Sequence, residues 1–123
     1  MYQEVQTLKR FRIGDLGSDG PQHVAAGIVP GKRISGGALS FHTPGMRTHD
    51  DGPHVHADQE VFCILQGRGV LEIDGRKEPI TAGDVLVIEP GEDHHIVGDP
   101  AHPIVNLWFH ASDTGNPKQY PGS

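Results

Sequence analysis

The chain has 123 residues, which suits one domain with a modest core. Its formal net charge is −6 and no basic cluster tracks a phosphate backbone, so nucleic acid is not an expected partner. No apolar run nears the roughly 20 residues a bilayer span requires, and the N-terminal MYQEVQTLKRFRI lacks the apolar core and cleavage-like site of a signal peptide. A membrane partner is therefore not expected either. The lone Cys63 cannot form an internal disulfide and fits a reducing, cytoplasmic setting.

Taken in chain order, the apolar residues fall into short, often alternating runs bounded by Gly, Pro or Asp, with almost no helical periodicity. The 17 glycines and 10 prolines fit short strands joined by tight turns. Strands are predicted at Thr7–Ile13 and His23–Val29, split by GDLGSDGP, and then at Arg33–His42. After the loop TPGMRTHDDGP, Glu60–Gln66 and Val70–Asp74 read as a hairpin with Gly67 and Gly69 at the bend. Val85–Ile88, His94–Val97 and Ile104–His110 complete the set. In the last of these, Val105, Leu107 and Phe109 form the more apolar face, so Trp108 and His110 are expected to point outward, onto solvent or a partner subunit. Residues 113–123 read as a frayed polar tail. Eight or so strands without substantial helix make residues 1–123 one all-β domain, a sandwich or small barrel.

The stretch GPHVHADQEVFCILQG, Gly52 to Gly67, carries ionisable groups among apolar residues. Along an extended chain His54 and His56 project on one side, and Glu60 shares their parity. Two imidazoles and a carboxylate converging on one point outline a site for Fe(II), Mn, Ni, Zn or Cu. A lone His-x-His would equally describe two surface histidines. What shifts the balance is GDVLVIEPGEDHH, which offers His94 and His95 as a further ligand. Neighbouring strand residues face opposite ways, so only one of that pair can point inward. Phe62 and Ile64 share the parity of Glu60 and suit a cavity wall or barrel core. Arg47, His49 and the Asp50-Asp51 pair read as solvated loop residues that could also edge a pocket mouth. Cys63 reads as packing, with no feature that would activate its thiol.

These motifs resemble those of small single-domain cupins. The first, His-x-His, three or four residues, Glu, six residues, Gly, is met by His54, His56, Glu60 and Gly67. The second, Gly, five residues, Pro-x-Gly, two residues, His, three residues, Asn, is met at Gly83, Gly91 and His94. Glu89 stands where the family has proline and Gly98 where it has asparagine; Thr48 replaces an upstream glycine, with Gly52 nearer. Counting from either Gly83 or Gly91 gives His94 as the ligand, whereas counting from Pro90 gives His95; the two glycine anchors favour His94.

The resemblance implies a double-stranded β-helix, or jelly-roll barrel, holding one divalent transition metal on His54, His56, Glu60 and His94 with one or two positions open to a small-molecule substrate. It implies an enzyme of the Fe(II)-type dioxygenase kind, with Glu60 doubling as a base if it loosens from the metal. The alternatives are a metal-dependent lyase or isomerase, and a non-catalytic sugar-like binding or sensor module. Small cupins also commonly pair as homodimers by lending N-terminal strands, so a homodimer is expected by resemblance.

Overall fold

The computed structural model describes residues 8–15, 28–29, 33–42 and 57–113. Eight strands run through them: β1 (Lys9–Arg12), β2 (Arg33–Phe41), β3 (Gln59–Gln66), β4 (Arg68–Ile73), β5 (Arg76–Thr81), β6 (Asp84–Ile88), β7 (His94–Gly98) and β8 (Val105–Ser112). They form a five-stranded sheet in the order β1-β6-β3-β8-β2 and a three-stranded sheet in the order β5-β4-β7, with every pair antiparallel. The all-β jelly-roll expectation is met. Of the predicted strand His23–Val29 only Ile28 and Val29 are described, and neither belongs to a strand.

Two local expectations need correction. The predicted hairpin of Glu60–Gln66 with Val70–Asp74 does not exist: β3 pairs with β6 and β8, while β4 pairs with β5 and β7. Gly67, at φ 83°, is a corner that carries the chain from one sheet to the other. Its Cα lies so close to the turn at Pro103 that an added Cβ would fall 2.1 Å from that carbonyl oxygen. The real hairpin is β4–β5, closed by Asp74 at φ 47° and Gly75 at φ 80°, the paired left-handed conformations of a two-residue turn. Strand β5 itself, RKEPIT, had gone unpredicted because its charges and Pro79 mask it. At the edge of a sheet both are tolerated.

Alternation divides the five-stranded sheet into two apolar faces. The inner face sends Phe62, Ile64, Leu86 and Ile88 against Leu71, Ile73, Ile80, Ile96 and Ile104, closing the barrel core. Each such side chain, fully buried, contributes about 1.5–3 kcal/mol. The outer face packs Val61, Val85, Val87 and Ala111 with Ile28 and Val29, and Phe11, Cys63 and Phe109 lie against them. Farther along that outer face, Leu39, Phe41, Leu65 and Leu107 are exposed. Among the described residues no helix is long and apolar enough to cross a membrane.

Candidate metal centre

Glu60 enters the barrel from β3, between Ile88 of β6 and His110 of β8 in the sheet register, and is fully buried. A buried carboxylate is costly unless other groups compensate its charge. Two imidazoles face it. His94 Nε2 lies 3.1 Å from Glu60 Oε1, and His110 Nε2 lies 3.5 Å from Glu60 Oε2.

The other nitrogen of each ring is held by an oxygen acceptor. His94 Nδ1 sits 3.0 Å from the Glu92 carbonyl oxygen, which can only accept, so Nδ1 carries a hydrogen and Nε2 is the nitrogen on the Glu60 side. His110 Nδ1 sits 3.0 Å from the Asp58 carboxylate, which can only accept, so Nδ1 carries a hydrogen and Nε2 is the nitrogen on the Glu60 side. A ligating histidine held through its second nitrogen by a carbonyl or carboxylate is the usual arrangement around a bound metal. Two imidazoles beside one carboxylate are the side-chain types that ligate divalent transition metals. Among the described residues no group of three His, Cys, Asp or Glu side chains is arranged so that it could hold a metal ion by itself. His54 and His56, the other two expected ligands, lie outside the described residues, as do Thr48, Gly52, Arg47, His49, Asp50 and Asp51.

Local structure explains how His94 arrives there. Gly83 and Gly91 adopt φ of 92° and 83°, which suits glycine as a turn landmark in the second motif. Between Gly91 and β7, the Glu92 side chain accepts from the Glu89 N–H at 2.7 Å, tying the turn together. Burial pushes the Glu92 carboxyl above its ordinary range, against the lowering effect of that hydrogen bond. At the family's proline position, the Glu89 carboxylate accepts from Gln59 Nε2 at 3.0 Å, beside Glu60.

His95, on the opposite face of β7, does not approach Glu60 by any contact seen among the described residues. Its Nε2 lies 2.8 Å from Asp93, and it stands opposite Glu72 in register. It is nevertheless buried rather than solvated.

The outward placement of Trp108 and His110 is overturned. His110 is fully buried beside Glu60, and Trp108 packs against the barrel core with its Nε1 donating to Ser40 Oγ at 2.7 Å. The face of β8 with Val105, Leu107 and Phe109 is the outer one, and Leu107 is exposed there. Asp58 and His110 are the site residues that sequence reasoning missed. The available signal was register: in a strand beside β3, the parity of Trp108 and His110 could match that of Phe62 and Glu60. Aromatic edges complete the lining, with Phe62 5.8 Å from His94 and Trp108 5.6 Å from His110 between ring centroids. Cys63 points to the outer cluster, and burial raises its thiol pKa, the reverse of what a nucleophile needs.

Comparison with known proteins converges on the same fold. A family model described as "Cupin domain" matches residues 44–109. The "Oxalate-binding protein" of Thermotoga maritima is 44% identical over 46 residues, covering 37% of this chain and 38% of that protein. The "Arabinose operon regulatory protein" of Escherichia coli is 29% identical over 98 residues, covering 80% of this chain and 30% of that one. The chain thus spans well under half the length of these two relatives. A solved structure of a "predicted oxalate decarboxylase" from Thermotoga maritima superposes with a TM-score of 0.52 at 29% identity, covering 71% of this chain and 72% of its own. With the family match extending over more than half of its residues, and two antiparallel sheets around a buried Glu-His pair, this chain belongs to the cupin family.

Proposed function

We propose that the protein is a divalent-metal enzyme acting on a small, oxygen-rich molecule inside the barrel. The observation that carries this is the buried Glu60 carboxylate faced by the Nε2 atoms of His94 and His110. His54, His56, Glu60 and His94 would hold the metal. When bound it would supply Lewis-acid or one-electron chemistry at positions left open by the protein. The chain's own residues do the rest. Phe62, Ile64, Leu86 and Ile88 form a dry wall, which strengthens every charge interaction at the site. Glu92 and Asp58 hold the two imidazoles in orientation. Glu60 would take a proton from the substrate.

Histidines with a single carboxylate form the donor set of non-haem Fe(II) oxygenases, and an Fe(II)-type dioxygenase is the first reaction class. A metal-dependent decarboxylase or other lyase is the second, favoured by the names of the two Thermotoga maritima relatives. The regulatory relative from Escherichia coli supports a non-catalytic binding role as the outcome to exclude. Metal analysis of protein purified without added metal, followed by oxygen uptake and carbon dioxide release with small oxyacids and enols, separates the three. Iron with substrate-dependent oxygen uptake is the expected result. Carbon dioxide release without oxygen uptake moves the assignment to the lyase. Binding with neither gas exchanged overturns the enzyme reading. In the enzyme, Glu60→Gln should cut turnover well beyond any loss of metal occupancy.

We also propose a homodimer, supported by the exposed Leu39, Phe41, Leu65 and Leu107 on the outer face. Sedimentation showing only a monomer near 13.3 kDa at micromolar concentration would remove it.

A further inference from the structure

We propose that Asn106 and Ser40 form a hydroxyl-recognising subsite inside the barrel, so that the molecule acted on is a hydroxylated chain reaching from Glu60 to Asn106 rather than a short diacid. This rests on the metal-enzyme reading above and names its substrate class. Asn106 points into the barrel, since its register partner on β3 is Ile64 of the core and it shares its face of β8 with Trp108. It is 2% exposed, yet its Oδ1 accepts no hydrogen bond among the described residues. An apolar side chain of the same shape would pack there without that penalty, so the core itself has no use for the amide. Ser40 is the register partner of Asn106 on β2, which sets their Cβ atoms about 4.5–5.5 Å apart. Ser40 and Trp108 are half-buried, so a molecule entering from solvent can come alongside Asn106.

The chemistry of the pair selects the ligand. Ser40 Oγ takes the Trp108 Nε1 hydrogen at 2.7 Å, which leaves its own hydrogen to donate. The two side chains thus present an acceptor and a donor from neighbouring strands. A hydroxyl group answers both, giving its hydrogen to Asn106 and taking that of Ser40, and it satisfies the amide in either of its two flips. A carboxylate only accepts, so it leaves Oδ1 unanswered. Length follows from register. Glu60 stands opposite His110, four residues from Asn106 on β8, an offset of about 13 Å along the strand. Once the reach of the side chains is taken from that offset, a molecule held at both places is about 8 Å long. Trp108 lies between them on the same face and offers its ring to the carbon chain.

The test measures binding to the full chain by calorimetry with two matched pairs of probes, gluconate against hexanoate and the shorter glycerate against propionate. Glycerate carries the same 2-hydroxy acid head as gluconate, so any contribution of that head shows equally in both pairs. The preference for the hydroxylated member should be about 10-fold larger in the long pair, the worth of a hydrogen bond or two that only gluconate reaches. Asn106→Leu, close in shape, should bring the long-pair preference down to that of the short pair. Its melting temperature should hold or rise, because an unanswered buried oxygen is removed. Ser40→Ala, at a half-buried position, should lower the long-pair preference about 3-fold while hexanoate binds as before, and it carries the test if Asn106→Leu fails to fold. Equal preferences in the two pairs of the wild type, no binding of gluconate, or a long-pair preference that survives substitution in a folded variant overturns the proposal. Failure of the metal-enzyme reading looks different: elemental analysis would then find no metal taken up by the wild-type protein, whatever the probes do.

Discussion

The two ends of this barrel are built from the same strands and obey opposite rules. Along the inner face of β3, Glu60 gives way to Phe62 and then Ile64, while along β8 His110 gives way to Trp108 and then Asn106. At the first end, ionisable groups face one another in the dry interior, with Glu60 and His110 both fully buried. At the second, the chain closes on itself by close backbone approach. A Cβ at Gly67 would fall 2.1 Å from the Pro103 carbonyl oxygen, and one at Gly69 would fall 2.2 Å from that of Val97. Arg68 and Asp99 tie the corner further through a side-chain hydrogen bond of 3.1 Å. One end is organised by packing and the other by a buried carboxylate set between two imidazoles. Substitutions at the two ends should therefore fail in different ways, the packed end through stability and the polar end through metal.

The largest effect should come from the packed end. Gly67→Ala must place a methyl group against backbone at φ 83°, and strain plus overpacking together should cost about 3–5 kcal/mol. Chemical denaturation measures it, and a loss below about 1 kcal/mol would mean that the corner yields more easily than the close contacts indicate.

Next comes the polar end. His94→Ala should weaken metal binding at least 100-fold, about 2.7 kcal/mol, while His95→Ala should leave metal content near the wild-type level. Elemental analysis after gel filtration decides it. The reverse pattern would place the ligand on the wrong face of β7 and break the division of the molecule drawn above.

The smallest effect concerns Asp99, again at the packed end. Its carboxyl is held below the ordinary range, chiefly by the hydrogen bond from the Ala101 N–H and then by the Arg68 side chain. A depressed native pKa contributes stability above the unfolded value near 3.9, and that contribution fades as pH falls through the native value. The melting temperature of wild type should exceed that of Asp99→Asn modestly at pH 7, with the gap closing as pH drops from about 5 to 3. A gap that stays constant across that range would assign the effect to packing rather than to ionisation.

Much of the fold was legible because its punctuation is chemical. Gly67, Gly83 and Gly91 mark turns whose backbones need positive φ, and each of the three adopts it. Short β-branched runs such as Val85–Ile88 became buried strands. The failures share a cause, since each needed knowledge of which strand lies beside which. A glycine between two apolar runs signals a reversal or a change of sheet equally well, so Gly67 was read as a hairpin. Pro79 and three charged neighbours hid β5 because only an edge position admits them. Apolar weight misplaced His110 because the five-stranded sheet has a second apolar face, where Val61, Val85, Val87 and Phe109 pack with Ile28 and Val29. With both faces apolar, the greasier side of β8 ceases to mean the inner one. At the site, Glu60 and His94 were legible from motif spacing, whereas the Asp58–His110 pair spans 52 positions and depends on register alone.

The last of the described strands, β8, lies between β2 and β3, well inside the larger sheet rather than at its rim. A growing chain therefore cannot complete that sheet until β8 has been made, and β2 meets β3 only through it. Contacts between such distant segments are slow to form, placing folding in the millisecond-to-second range typical of β-barrels. Formation of the Glu60–His110 pair therefore awaits the docking of β8, which couples that buried pair to closure of the larger sheet.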